Sequence, residues 1–406
     1  MLKKVFWLAF LLLVFAGTGN TQCLSDRDSV KRYIESVQNS QKLSLPQRIT
    51  ILTTYLKAME RCPNKNDSVH VFLLMGIFGL HSYNSDYAAA MPYEDRAIDI
   101  MTKNFNNPNI NKQKLIRAYS HKAYTYGLLG NYREKMKAAN DCINVSVLLK
   151  DSSDAGYARS LNDRMKYNYD LGDYQRSISD AVMCERVTRN YFRNRVLQSG
   201  DLDFASSMVL GSLGWYVQSQ LALKNFTEAE KFFEEITKQY EQGFFSRFNG
   251  YVYAFQAQVQ MQKGDHAKAL SLLQKGLTHA RNIKHYYTCK QILNTIGADV
   301  YAAYYKDDAK AMTAYRQAMS YHNNNEELKL DDKMESLAVL NGIANIYTRR
   351  QLYDSAIAYY RYALDTLSKD FMEEDFLQKP AYVILRYPKL HLLHGLMLDK
   401  ADMYLK

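Results

Sequence analysis

A turn followed by an aromatic residue or its equivalent recurs seven times along this chain, and nothing else in the sequence restricts the fold as tightly. The copies are Ser85-Asp86-Tyr87, Gly130-Asn131-Tyr132, Gly172-Asp173-Tyr174, Lys224-Asn225-Phe226, Gly264-Asp265-His266, Asp307-Asp308 and Leu352-Tyr353. Their marker positions, 87, 132, 174, 226, 266, 308 and 353, lie 40 to 52 residues apart. Such a turn ends one helix and starts another. Gly130, Gly172 and Gly264 are expected in the left-handed conformation that closes a helix. Asn131, Asp173 and Asp265 then cap the next one. A small residue three positions after the marker and a bulky one seven after it, as in Ala229/Phe233 and Ala311/Tyr315, place one apolar stripe on each second helix. One such pair cannot bury its stripe alone, so neighbouring pairs must stack.

The clearest copy is Leu340 to Asp365, LNGIANIYTRRQLYDSAIAYYRYALD. Leu340, Ile343, Ala344 and Tyr347 form the stripe of its first helix, and Tyr353, Ala356, Tyr360 and Ala363 that of its second. This pattern resembles a tetratricopeptide (TPR) unit. A typical unit has about 34 residues, so extra residues are expected here, at Asp151-Ser152-Ser153-Asp154 and Ser199-Gly200-Asp201. The resemblance covers roughly Val69 to Leu367. It implies an all-α, right-handed TPR-like alpha-solenoid of about seven helix pairs. Composition agrees: no Pro lies between Asn109 and Lys379, and Pro costs a helix interior roughly 3 kcal/mol.

The remaining segments divide as follows. Residues 1–22 read as a signal peptide: Lys3 and Lys4, an apolar run from Val5 to Phe15, then small residues Ala16 to Gly19. The residues before Cys23, Asn20-Thr21-Gln22, do not match a bacterial lipobox. Residues 23–64 are expected to form a capping helical hairpin, with Ser44 as N-cap and Pro46 in the first turn of its second helix. Residues 65–368 hold the repeats, and residues 369–406 a linker and a last helix that resembles the first helix of a further repeat. No second apolar run of about 20 residues follows the leader. The chain therefore reads as exported, to the periplasm or cell surface of a bacterium.

Export permits disulfides, and Cys23 and Cys62 are expected to pair across the N-terminal hairpin. Cys142 and Cys184 fall at small-residue repeat positions and read as packing. Without Lys3 and Lys4 the chain has 50 basic against 42 acidic side chains, spread evenly. Spread charge predicts solvated outer faces and no nucleic-acid partner. The sequence has no HExxH, P-loop, GxSxG or GxGxxG motif. His391 and His394, one turn apart, lack a third ligand at metal spacing. The reading is therefore no enzyme, no cofactor and no metal site.

Function is sought on the groove that the first helices of TPR proteins line. Alignment by their small residues assigns Tyr124, Arg159, Asn162, Lys166, Tyr169, Gln218, Tyr251, Gln258, Asn341 and Asn345 to that side. Asn and Lys there suit the backbone or terminal carboxylate of a protein or peptide partner. Tyr adds rigid contact area with one polar end. The leader with long, Tyr-rich repeats is also similar to the extracytoplasmic sensor regions of bacterial histidine kinases, which implies signal transduction. The alternative is a periplasmic or surface scaffold for envelope protein assembly.

Overall fold

Each of the seven marker positions is the first residue of an α-helix. The computed structural model describes residues 27–61, 67–193, 199–239, 249–281, 283, 287–323, 330–367 and 390–405. Among them are seventeen α-helices, one π-helical turn and no strand. The chain forms two compact units that divide between Thr125 and Tyr126. The leader, Cys23, Cys62 and the expected disulfide lie outside the described residues.

The first unit contains α1 (Arg27–Gln38), α2 (Leu45–Glu60), α3 (Asp67–Tyr83), α4 (Tyr87–Lys103) and most of α5 (Gln113–Leu128). The start of α2 is fixed by its own sequence. The Gln47 amide donates to Ser44 Oγ, the Ser44 amide donates to Gln47 Oε1 at 2.9 Å, and Pro46 sits in the first turn. This reciprocal pair satisfies two donors that a helix start leaves open. Ile34, Leu52, Leu73, Leu74 and Ile77 are wholly buried. Beside this core, Glu94 of α4 is also wholly buried, and neither carboxylate oxygen has a partner among the described residues. Burial, with help from the neighbouring Asp95 charge and against that of Lys122, pushes its carboxyl up to about 9.

The second unit begins within α5. It continues with α6 (Tyr132–Leu148), α7 (Ala155–Asp170), α8 (Tyr174–Arg193), α9 (Ser199–Ala222), α10 (Phe226–Gln239), α11 (Asn249–Lys263) and α12 (His266–Arg281). Then come α13 (Tyr287–Val300), α14 (Asp308–Asn323), α15 (Leu330–Arg349), α16 (Tyr353–Leu367) and α17 (Leu390–Tyr404). Helices α3 to α16 make seven consecutive hairpins, a TPR-like repeat fold. Ser199-Gly200-Asp201, expected as an inserted turn, instead forms the first turn of α9. Ser and Asp suit a helix start as well as a loop. The Asp151–Asp154 segment is a loop as expected, and Asp154 Oδ1 accepts from the Gly156 amide at 2.7 Å.

One backbone device closes all seven hairpins. The residue two before the second helix has positive φ: Ser85, Gly130, Gly172, Lys224, Gly264, Lys306 and Gln351, between 53° and 86°. The next amide reaches back to a carbonyl near the end of the first helix, as from Asp173 to Asn168 at 2.8 Å and from Leu352 to Tyr347 at 2.9 Å. This is the Schellman closure. Only three of the seven positive-φ residues are Gly, so four non-glycine residues adopt the same strained backbone. In the sixth hairpin the π-helical turn Tyr301–Tyr305 adds a residue, and the Asp307 amide reaches Tyr301 O instead.

Packing follows the three- and seven-residue rule. Ala90, Ala229, Ala269, Ala311 and Ala356 are wholly buried, and Phe233, Leu273, Tyr315 and Tyr360 are at most 5 % exposed. Cys142 and Cys184 are buried packing residues that form no disulfide among the described residues, and burial pushes both thiols up to about 12. In the second hairpin Lys135 replaces the small residue. Its stem lies over Gly127, and its ammonium pairs with Asp163 at 2.8 Å.

Candidate functional site

The first helices of successive hairpins in the second unit share one cavity of about 500 Å³. Helix α7 contributes Asn162, Lys166 and Tyr169; α9 contributes Gly211, Gly214, Trp215 and Gln218; α11 contributes Tyr251, Phe255 and Gln258. Asp299 of α13 and Glu335 of α15 lie farther along its wall. The spacing explains the convergence. Residues three or four apart on a helix share a face, and stacking sets those faces side by side.

Two glycines shape the wall. A Cβ at Gly211 would lie 2.5 Å from Asn162 Oδ1, and one at Gly214 would lie 2.5 Å from the Phe255 ring. Each absent side chain lets a neighbouring helix send a larger one across. The Gln218 amide donates to Gln258 Oε1 at 2.5 Å, linking α9 to α11. A smaller recess of about 240 Å³ continues from Tyr169, Gln218 and Gln258 towards Met261.

One end of the cavity is aromatic. The Tyr169 and Trp215 rings are 5.1 Å apart, and the His391 imidazole stands edge-on to both, at 5.1 and 6.3 Å. His391 Nδ1 lies 2.8 Å from Asp170 Oδ1. Burial, reinforced by Tyr174 and Asp170, pushes the Tyr169 phenol up to about 12. At the other end burial raises the Asp299 carboxyl to about 6, and the Tyr315 hydroxyl that donates to it pulls it back. Asn162 is 9 % exposed, and its Oδ1 has no donor among the described residues. A buried acceptor left in this way costs about 1–3 kcal/mol.

Six of the ten residues assigned to the groove from sequence line this cavity: Asn162, Lys166, Tyr169, Gln218, Tyr251 and Gln258. Arg159 lies one turn earlier on α7, its guanidinium 5.5 Å from the Phe204 ring centroid. Tyr124 belongs to the first unit and is 53 % exposed. Asn341 and Asn345 of α15 do not face open space. Both amides donate to Asp399 Oδ2 of α17, at 2.6 and 2.8 Å. The Tyr360 hydroxyl donates to Asn345 Oδ1 at 2.8 Å and so orients that amide.

Trp215, Phe255, Asp299, Glu335 and His391 escaped the sequence reading. Trp215 lies three residues before Gln218 and was legible as the same helical face. His391 was not legible there, because its neighbours Tyr169 and Asp170 are more than 220 residues away in the chain. Among the described residues no three His, Cys, Asp or Glu side chains converge at metal-binding distance. No described helix is long and apolar enough to cross a membrane.

No protein-family model matches this chain. No curated protein matches it either. Solved structures do resemble it. A tetratricopeptide repeat protein from Parabacteroides merdae aligns over 81 % of this chain and 99 % of its own, with a TM-score of 0.52 and 13 % identity. The human IFIT1 dimer with PPP-AAAA covers 94 % of this chain and 86 % of its own at a TM-score of 0.41 and 15 % identity. The Cut9–Hcn1 hetero-tetramer of the APC/C covers 93 % and 71 % at 0.34 and 13 %. The first of these likenesses is one of fold, and it agrees with the seven hairpins: the chain has a TPR-like helical repeat architecture.

Proposed function

We propose that this protein is a non-catalytic, exported interaction module that binds a segment of a protein partner on the inner face of its second unit. One observation carries the reading. Side chains from five successive first helices, polar and aromatic together, converge on one cavity. A polypeptide segment supplies hydrogen-bonding groups for Gln218 and Gln258, and apolar side chains for Tyr169, Trp215 and Tyr251. Export rests on the basic, apolar and small-residue order of residues 1–22.

The test is a photo-crosslinking amino acid at Tyr251 in the full chain, activated in bacterial cells. Discrete crosslinked proteins are expected, and they should disappear when Trp215 and Gln258 are both changed to Ala. Recovery of the same proteins by the variant would refute the groove. The identity of the captured protein separates the two roles considered: a signalling protein for a sensor, an envelope assembly component for a scaffold.

A further inference from the structure

The last helix packs against both helices of the seventh hairpin, chiefly the first. It crosses the inner face of the second unit. Asp399 lies beneath the Asn341 and Asn345 amides of the seventh hairpin. His391, eight residues earlier and about 12 Å along the helix, meets Asp170 and Tyr169 of the third hairpin and Trp215 of the fourth. Between and beyond these polar ends, Leu393, Leu396 and Met403 are at most 3 % exposed and join the core formed by Leu337, Leu340 and Ala344. Leu398, Tyr404 and the following Leu405 are all more than 60 % exposed. His391 and Leu392 also form part of the cavity wall. Helix α17 is thus seated where the groove would receive a ligand, and it makes the contacts of one.

We propose that α17 is a ligand held in cis, and that the partner is an amphipathic helix that replaces it. The partner helix would carry a ring that fits the Tyr169–Trp215 corner, leucine-like residues two and five positions later, and a carboxylate eight positions after the ring for the two Asn amides. This rests on the proposed function and specifies its partner class. Covalent attachment to the same chain gives α17 an effective concentration taken as about 1 mM. If the empty groove holds such a helix with a Kd of about 10 µM, α17 occupies it about 99 % of the time. A peptide in trans then binds about 100-fold more weakly than it would to the empty groove.

The probe is a fluorescein-labelled peptide with the sequence of residues 389–405, titrated into the full chain and into a His391→Ala/Asp399→Lys variant. The variant is expected to bind it at least tenfold more tightly than the parent. Hydrogen exchange of α17 amides should rise at least tenfold in the variant, with α7 and α15 unchanged. Equal affinity for both chains, or no binding to the variant, would overturn the proposal. So would a dimer in which α17 is exchanged between two copies, detected by light scattering. Should the double variant fail to fold, Asp399→Ala alone removes the contact of α17 with Asn341 and Asn345, leaves the groove that the peptide enters unchanged, and gives the same two readouts. Failure here leaves the Tyr251 crosslinking result untouched. Absence of crosslinked proteins from a chain that binds the peptide would refute the proposed function instead.

Discussion

Glu94 should make the first unit lose stability as pH rises. Its side chain is wholly buried and unpartnered among the described residues, and its carboxyl is pushed from 4.5 to about 9, chiefly by burial. Asp95 adds to the rise, and Lys122, paired with Asp95 at 2.5 Å, opposes it. The folded state therefore holds a proton that the unfolded state releases. Stability is fully present below the unfolded value and is lost as pH climbs towards the folded one. Each pH unit in that window removes about 1.4 kcal/mol, so going from pH 5.5 to pH 8.5 removes on the order of 4 kcal/mol. Glu94→Gln keeps the shape and abolishes the titration. Its buried amide shifts stability by a constant amount at every pH. The assay is hydrogen exchange of α4 amides at both pH values, corrected for intrinsic rates and paired with urea unfolding. The parent should lose about a thousandfold of protection across the interval, and the variant should lose little. The same pH slope in both proteins would refute the assignment.

Three further outcomes test the second unit. Arg164→Ala removes the cation that grips Asp180 at 2.6 and 2.8 Å and leaves that carboxylate, whose side chain is 7 % exposed, with the Asn168 amide alone; a loss of about 3 kcal/mol in urea unfolding is expected, and a change under 0.5 kcal/mol would contradict it. Gly214→Ala sets a Cβ 2.5 Å from the Phe255 ring, so thermal unfolding should show a loss of about 1–3 kcal/mol; an unchanged midpoint would mean that the ring moves aside freely. Tyr315→Phe removes the hydroxyl that favours the ionised Asp299 carboxyl, so an NMR titration should move that carboxyl upwards from about 6, and a value that stays or falls would exclude this hydrogen bond as its support.

Local chemistry was legible wherever it acts over a few residues. The seven second helices start at the predicted positions because a closing turn, a cap and a stripe each involve residues close in sequence. Even so, Lys224, Lys306 and Gln351 carry positive φ without being Gly, since the closing hydrogen bond can outweigh the steric cost at one residue. The face of each first helix was legible in the same way, which is why Asn162, Lys166, Tyr169, Gln218, Tyr251 and Gln258 meet at one cavity. Glu94 stands seven residues after Tyr87, on the stripe that the repeat buries, but its lack of a partner was not legible, because that depends on which side chains close over it.

By itself the sequence determined the repeat, the starts of its second helices and the side of each helix that faces inward, all consequences of 3.6-residue periodicity and turn chemistry. The tertiary structure alone decided what lies against that inner side. Asn341 and Asn345 were open groove residues by periodicity and are in fact held by Asp399, and Tyr169 meets His391 across more than 220 residues. Periodicity fixes the direction of a side chain relative to its own helix axis, whereas the path of α17 across the other helices depends on how the stacked hairpins curve and on which apolar surface they leave for its leucines to bury.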